Sequence, residues 1–281
     1  MRVPLDDLSS GDVVKACEEN YIDYWKCIGH SRNAEFSESN GITHCVTGLP
    51  QEIFNVVLRC RLDPGEADSA IDKALRYYRS RRIPMLWHVG MLTEPKDVGM
   101  RLAARGFPHD YDLTAMAIDL DSKDTPSGDP GFVSVERVAD GKGSDQWIEC
   151  LTSSWESPRE VGAWMRGNAC FNMAIELEKR VSLPRRMYLG ALEGTPAGAC
   201  MLVWRDDVAG LQAVGTVPAA RRKGVGRAVV EAALDDARMM GFGYVVVLST
   251  IEGLKLYERC GFRAFGKLPE HSMYFDKYQQ K

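Results

Sequence analysis

Residues 213–230, AVGTVPAARRKGVGRAVV, decide the fold of this chain. The run begins with β-favouring residues that end at Pro218, passes through three consecutive cations at Arg221–Lys223, and continues as an apolar-periodic helix. Gly224 and Gly226 carry no Cβ, so a ligand can approach the main chain closely. Free backbone N–H groups, the positive end of a helix dipole and the cations meet at this turn, which is typical of a phosphate-binding site.

Three phosphate-binding motifs compete for this turn. A Walker loop requires Lys followed by Ser or Thr after its last glycine, whereas Arg and Ala follow Gly226. A dinucleotide fingerprint requires a third small residue where Val229 stands. The remaining match, Arg221-x-x-Gly224-x-Gly226, resembles the coenzyme A loop of the GNAT superfamily of N-acetyltransferases. For the loop alone, the alternative is a glycine-containing helix start with solvated basic residues.

A second motif follows downstream. The helix predicted over 224–240 leads to a buried strand predicted over 244–250. Residues 253–262, GLKLYERCGF, then predict a short helix, and the string resembles the Leu-Tyr-Glu-x-x-Gly-Phe signature of the same superfamily. Two signatures in this order indicate that residues 132–275 are similar to a GNAT domain.

Composition bounds the class of protein. The chain has 281 residues, a hydrophobic content of 45% and a net charge of −4, which suits one large or two ordinary domains and gives no drive toward nucleic acid. No apolar run approaches the ~20 residues of a membrane span, and the first residues lack a signal-peptide core. We therefore expect a cytoplasmic protein without membrane contact. The 8 cysteines and 5 histidines do not cluster, so we expect no metal site and no disulfide framework.

The two halves of the chain show the same predicted order of elements. Residues 121–131, rich in Asp, Ser, Pro and Gly, predict a linker between domains at 1–120 and 132–281. Strand, helix, strand, helix, a Gly-Phe pair and strand are predicted at 54–62, 66–81, 83–89, 95–105, 106–107 and 114–120, and again at 209–217, 224–240, 244–250, 253–260, 261–262 and 272–276. We predict an α/β (α+β) fold of two GNAT-like domains, each with a mixed, mostly antiparallel central sheet flanked by helices.

The first half differs from the second in its charges. Asp63, Glu66 and Asp68 stand where the second half has its cations, and carboxylates repel a diphosphate. Four residues before the glycine of the Gly-Phe pair, the second half has Tyr257 and the first has Leu102, which cannot donate a proton. We expect the first half to keep the fold without a coenzyme site and to serve packing, cover of the acceptor cleft or assembly, with a homodimer left open.

The resemblance implies acetyl transfer from acetyl-CoA (coenzyme A) to an amine in a ternary complex, without a metal. It implies that the fourth and fifth strands splay, so that the pantetheine arm pairs with the strand at 212–217, where Gly215 suits a bulge. Tyr257 is the implied general acid, and Thr250 stands where the family often has Asn. The implied cofactor-binding residues are Val214, Gly215, Thr216, Arg221, Arg222, Lys223, Gly224, Val225, Gly226, Arg227 and Thr250.

The acceptor side is less defined by the sequence. Trp155 and Trp164 lie on helical stretches predicted over 145–156 and 159–180. Such helices border the acceptor site in this family, although aromatics at helical spacing are more often core. The fourth strand has no carboxylate to act as base, and Gln212 can only orient a water. Candidates for a proton relay are Asp206, Asp207, Glu156 and His271.

The favoured function is an acetyl-CoA-dependent N-acetyltransferase acting on a primary amine of a small-molecule or amino-acid-like acceptor. The alternatives are a non-catalytic acyl-CoA-binding or regulatory protein and a peptide N-acetyltransferase.

Overall fold

The computed structural model describes residues 5–31, 33–121, 132–175 and 183–275. In these ranges the helices are α1 (Ser10–Gly29), α2 (Ala67–Arg81), α3 (Val98–Ala103), α4 (Gly141–Ser154), α5 (Arg159–Arg166), α6 (Val225–Met239) and α7 (Leu254–Arg259). The strands are β1 (Glu35–Ser39), β2 (Ile42–Val46), β3 (Asn55–Cys60), β4 (Met85–His88), β5 (His109–Asp119), β6 (Val133–Arg137), β7 (Arg185–Leu192), β8 (Thr195–Arg205), β9 (Val208–Thr216), β10 (Tyr244–Ser249) and β11 (Arg263–Met273). Residues 122–131 of the predicted linker, 176–180 of a predicted helical stretch and residue 276 lie outside the described ranges.

The chain forms two compact units, each built from two segments. The large unit contains Met1–Cys27 and Thr114–Gly266, and the small unit contains Ile28–Leu113 and Lys267–Lys281. Each half of the sequence therefore contributes a terminal strand to the unit formed mainly by the other half. These units differ from the halves 1–120 and 132–281, which stay a prediction as domain boundaries. Composition marks a polar connection, but it does not show to which sheet the last strand of each half is added.

The sheet of the large unit has the order β5–β10–β9–β8–β7–β6, and its only parallel pair in the described ranges is β9–β10. Helices cover both faces of this sheet. Successive residues of β9 point to opposite faces, and two neighbouring residues contact different helices. A Cβ on Gly215 would meet Ser154 of α4, whereas the hydroxyl of Thr216 lies against Gly226 of α6.

The sheet of the small unit has the order β1–β2–β3–β4–β11, with β3 and β4 parallel and the other neighbours antiparallel. Helix α2 buries Ile71, Leu75 and Tyr78 fully, as its predicted apolar face requires. The predicted fold class, mostly antiparallel mixed sheets flanked by helices, is confirmed.

Elements β3–α2–β4–α3 of the small unit repeat the order β9–α6–β10–α7 of the large unit. Both series end in the same helix stop, since the N–H of Phe107 donates to the carbonyl of Leu102 and the N–H of Phe262 to that of Tyr257, each at 3.0 Å. The preceding glycines are left-handed in both. Leu102 and Tyr257 therefore occupy equivalent positions, as the sequence comparison predicts.

Several elements differ from the sequence prediction. Helix α1 and the hairpin β1–β2 were not predicted, and α3 begins at Val98 rather than at residue 95. The last strand begins at Arg263, directly after the Gly-Phe pair, instead of at 272. Helix α1 is hard to recognise because its buried positions include Glu18 and Asn20, which interrupt the apolar pattern.

Gly190 allows α6 to pack directly on β7. A Cβ there would lie 2.7 Å from Cγ1 of Val229, which is closer than carbon atoms approach. We expect Gly190→Ala to lower the free energy of unfolding by ~1–3 kcal/mol, because the core must shift to accept the methyl group. Urea denaturation measures this loss.

Two variants control this measurement. Val229→Ala removes the opposing methyl groups, so its loss and that of Gly190→Ala should be less than additive. Gly162→Ala, whose Cβ would meet first the flexible end of Arg166 at 3.3 Å, should be neutral or stabilising in its helix. Equal losses from Gly190→Ala and Gly162→Ala would contradict the proposed packing.

Candidate functional site

The turn at 217–224 leads from β9 into α6. Gly224 caps the helix with a φ of 86°, and Arg222 also has a positive φ, of 64°. The N–H of Ala228 donates to the carbonyl of Gly224 at 2.9 Å, so the N–H groups of 225–227 precede the helical ladder. These donors and the helix dipole together make an anion-binding position.

The start of α6 is pressed between β9 and α7. The side chain of Val225 is 1% exposed, and its Cγ1 would lie 2.5 Å from a Cβ on Gly198 of β8. A Cβ on Gly226 would lie 3.0 Å from the hydroxyl of Thr216 and 3.4 Å from Leu256 of α7. Only the main chain of these two helix residues is therefore presented to a ligand.

The basic residues of the turn are of two kinds. The guanidinium of Arg221 donates to the carbonyls of Ser154, at 2.9 Å, and Thr216, at 3.4 Å, and so connects the end of α4 with the end of β9. Arg227 pairs with Glu231 one turn along α6, at 2.6 Å. The two cations that follow Arg221 are exposed. Arg221 and Arg227 are thus held by partners within the protein, whereas Arg222 and Lys223 remain at the surface of the turn.

Strands β9 and β10 diverge from each other. They pair in parallel where Val245 lies opposite Ala209 and Val246 opposite Gly210, and no further pair joins them, although both strands lie wholly within the described ranges. Beyond Gly210 the β10-facing edge of β9 therefore borders a gap that ends at the glycine turn. Main-chain groups along such an edge can pair with an extended ligand.

Strand β9 carries a bulge beside this gap. Its register with β8 shifts between Ala199 and Met201, and Ala213 has a φ of 50°. The sequence prediction placed the bulge at Gly215, which instead pairs regularly with Ala199. Gly215 is required for a different reason, because a Cβ would lie 2.1 Å from the hydroxyl of Ser154. The bulge re-aims the main chain of the strand near Val214.

Tyr257 of α7 is 6% exposed, and its ring packs edge-on against Phe262 with centroids 5.5 Å apart. Burial, followed by the nearby thiols of Cys200 and Cys260, raises the pKa of the Tyr257 phenol well above its ordinary value. The phenol is therefore protonated throughout the neutral range, as a general acid must be before reaction. Gly253 makes room for the ring, since a Cβ there would lie 3.1 Å from Cε2.

Thr250 is exposed directly after β10, and its carbonyl accepts hydrogen bonds from the hydroxyl of Ser249, at 2.8 Å, and the N–H of Gly253, at 3.1 Å. These bonds fix the turn between β10 and α7 at one wall of the gap. Thr250 therefore lies at the end of β10, as the sequence predicts.

Gln212 has a partner that the sequence did not reveal. Its side-chain amide donates to Oδ1 of Asn20 in α1 at 2.9 Å, and Asn20 donates to the carbonyl of Val203 at 3.5 Å. Both side chains are buried. A pattern search along β9 cannot find this pair, because Asn20 lies in a helix far away in the sequence.

The three relay candidates of the large unit lie in two different connections. Asp206 and Asp207 form the turn between β8 and β9, at the opposite end of β9 from the turn at 217–224. Glu156 follows α4 with a φ of 51°. His271 belongs to the small unit, where its ring nitrogen lies 2.9 Å from the carbonyl of Phe107.

Trp155 and Trp164, the two residues considered as walls of the acceptor site, lie in different environments. The ring of Trp164 packs against Phe171 at 6.0 Å between centroids, and Phe171 also contacts Trp147 and Tyr24. Trp155 caps the C-terminal end of α4. The role of either tryptophan as an acceptor wall stays a prediction.

In the small unit, the strand equivalent to β9 is β3, and a connecting segment of the chain bonds to it. β3 and β4 pair in parallel at Val56–Leu86 and Val57–Trp87, but nine residues, 89–97, separate β4 from α3, against four between β10 and α7. Glu94 of this longer connection returns to β3. Its N–H donates to the carbonyl of Cys60 at 2.8 Å, and its carbonyl accepts from the N–H of Leu62 at 3.0 Å.

The carboxylates near the start of α2 form ion pairs with arginines of the same unit. Asp68 pairs with Arg101 at 2.6 Å and with Arg105 at 2.8 Å, and Arg105 also pairs with Asp72 at 2.6 Å. Leu102, at the position equivalent to Tyr257, is completely buried. The small unit thus has neither an open strand edge nor a cationic turn at these places.

Within the described part of the chain, no group of three or more His, Cys, Asp or Glu is arranged to hold a metal ion. Among the helices of the same residues, none has the length and apolar character needed to cross a bilayer.

Known proteins were compared with the whole chain. The sequence profile of the acetyltransferase (GNAT) family matches residues 148–262, whereas a search of curated proteins gives no significant match. A GCN5-related N-acetyltransferase from Kribbella flavida has a similar structure, with a TM-score of 0.63, 13% identity and coverage of 92% of this chain and 96% of that one. A GCN5-related N-acetyltransferase from Sphaerobacter thermophilus gives a TM-score of 0.59, 14% identity and coverage of 97% and 94%.

A tandem GNAT protein from the clavulanic acid biosynthesis pathway is also similar, with a TM-score of 0.55, 14% identity and coverage of 95% of this chain and 96% of that one. At these identities the structural comparisons establish the fold, and the profile match adds the family of residues 148–262. The chain therefore contains a GNAT-family acetyltransferase domain, within a fold that it shares along most of its length with tandem GNAT proteins.

Proposed function

We propose that the protein is an acetyl-CoA-dependent N-acetyltransferase that acts on a primary amine of a small-molecule or amino-acid-like acceptor by direct transfer in the cytoplasm. The observation that carries this proposal is the gap between β9 and β10, which ends at the N-terminus of α6. An open strand edge suits the pantetheine arm, and an adjoining anion site suits a diphosphate.

Each element of the site has a role in this proposal. The coenzyme supplies the acetyl thioester, and the N–H groups of 222–227 would hold its diphosphate. The β9 edge at Val214–Thr216 would pair with the arm, with an N–H near Thr216 directed to the thioester oxygen, where negative charge develops. Tyr257 would protonate the departing thiolate.

We also propose that the small unit binds no coenzyme. This rests on Glu94, which occupies the edge of β3, and on the ion pairs that join Asp68 to α3. The unit would then support the fold or the acceptor side rather than perform a second transfer.

A non-catalytic acyl-CoA-binding protein is the second candidate. It is favoured by one observation, the absence of a carboxylate on β9, where Gln212 is held by Asn20. Release of thiol from acetyl-CoA in the presence of a panel of primary amines separates the two candidates, because a binding protein releases none above the rate in buffer.

Tyr257→Phe tests the general acid. We expect kcat to fall by ~10²-fold or more, because the thiolate then leaves without a proton donor, while the Kd for coenzyme A changes less than about twofold. Tyr244→Phe, a buried tyrosine at the far end of β10, is the matched control and should keep its turnover. An unchanged kcat in Tyr257→Phe would remove the acid assignment.

Gly224→Asp and Gly224→Asn test the diphosphate site as a matched pair. Both side chains tolerate a positive φ better than most, and a Cβ at this position meets nothing within 4 Å in the described chain. The two variants therefore differ mainly in one negative charge. We expect Gly224→Asp to bind coenzyme A at least about tenfold more weakly than Gly224→Asn, because the charge repels the diphosphate.

Titration calorimetry at low salt measures this difference, which should shrink as salt rises. Equal affinities of the two variants would contradict a diphosphate at this turn.

The stoichiometry of binding tests the small unit. We expect one coenzyme A per chain, bound at a site whose affinity falls in Gly224→Asp, since β3 has no open edge to hold a second molecule. Asp68→Asn, which removes a charge from the small unit, should leave both values unchanged. A stoichiometry of two coenzyme A molecules per chain, or a binding site whose affinity is the same in Gly224→Asp as in the wild type, would overturn the assignment.

A further inference from the structure

Two cysteines meet inside the large unit. Cys27 lies near the end of α1, and Cys170 lies in the segment that follows α5; their thiols are hydrogen-bonded to each other. The same two parts of the chain are held together by the rings of Tyr24 and Phe171, whose centroids are 6.3 Å apart in an edge-to-face contact. Both cysteines are buried, at 1% and 0% exposure.

A cation stands beside this pair. Arg185, the first residue of β7, donates from Nη2 to the carbonyl of Ala169 at 2.6 Å, next to Cys170. Its Nε is buried and has no hydrogen-bond partner among the described residues. A second anchor comes from Asn168, whose side-chain oxygen accepts from the N–H of Cys170 at 2.9 Å. The segment that carries Cys170 is therefore fixed against the end of α1.

This environment differs from that of other cysteines in the chain. Burial raises the pKa of Cys17 and Cys260 to about 12 and that of Cys60 and Cys150 to about 11. For Cys27 the hydrogen bond from Cys170, assisted by the charge of Arg185, outweighs burial and holds the pKa below the ordinary thiol value. The thiolate is the reactive form of cysteine.

We propose that Cys27 and Cys170 form an oxidation site, at which a hydroperoxide such as hydrogen peroxide joins them in a disulfide. The Cys27 thiolate attacks one oxygen of hydrogen peroxide, an S–O bond forms, the O–O bond breaks, and the departing hydroxide leaves as water after protonation. The Cys170 sulfur then attacks the sulfenic acid, the S–S bond forms, the S–O bond breaks and a second water leaves. Two thiols lose two electrons and two protons, and one peroxide is reduced to two waters.

The disulfide would connect α1 to the segment at 168–171. Because α1 also carries Asn20, the partner of Gln212 on β9, the oxidised bond would fix the helix that lies against the strand of the candidate site. The proposal does not depend on the acceptor or on acetyl transfer.

Peptide mapping of the full-length wild-type protein tests this site. The folded chain is treated with hydrogen peroxide, denatured, alkylated and digested. We expect two fewer alkylated thiols than the 8 cysteines of the untreated chain and a cross-linked peptide that joins Cys27 to Cys170 and disappears after reduction. Retention of all thiols, or a cross-link between other cysteines only, would overturn the proposal.

Matched variants sharpen the result. Cys150→Ser, which removes a buried thiol of raised pKa, should keep the cross-link. Cys170→Ser should abolish it and leave a sulfenic acid on Cys27 that dimedone labels, because the resolving thiol is gone. If Cys170→Ser does not fold, the wild-type map still decides the question.

Discussion

The divergence of two parallel strands is the constraint on which the structure of the large unit depends. β9 and β10 share only the pairs Val245–Ala209 and Val246–Gly210, and then separate. Helix α6 must therefore start beside an unpaired strand edge. Gly226 follows from bringing β9, α6 and α7 together at this end of the gap, because a Cβ there would crowd Thr216 and Leu256. Tyr257 lies on the same helix α7.

The small unit shows what the same elements become when the edge is filled. Its connection between β4 and α3 is longer than the corresponding connection in the large unit, and Glu94 uses the extra length to bond β3. The charge at this place also differs, because Arg101 of α3 and Arg105, shortly after that helix, pair with the carboxylates of Asp68 and Asp72 in α2. A short insertion and a reversal of charge are sufficient to distinguish two units with the same order of elements.

The sequence predicts the local structure of the candidate site well. The turn at 217–224, the helix that follows it and the equivalence of Leu102 with Tyr257 depend on glycines and short-range periodicity, which are visible in a single sequence. The strand exchange is not predictable in this way, because the pairing of β10 with β5 and of β11 with β4 joins segments far apart in the sequence. The same limit applies to Asn20, whose bond to Gln212 is a contact between distant segments.

The bulge of β9 illustrates a third limit. Glycine in a strand suggests a bulge, but Gly215 is present because α4 approaches it, and the left-handed residue is Ala213. Packing between elements thus decided a feature for which local propensity gave a different answer.

A crystal structure of the full chain soaked with acetyl-CoA tests the central claim most directly. The account predicts density for the diphosphate against the main chain of 222–227 and for the pantetheine arm along the free edge of β9. Density beside Asp63–Asp68 in the small unit, or a coenzyme bound elsewhere with the gap between β9 and β10 unchanged, would contradict it.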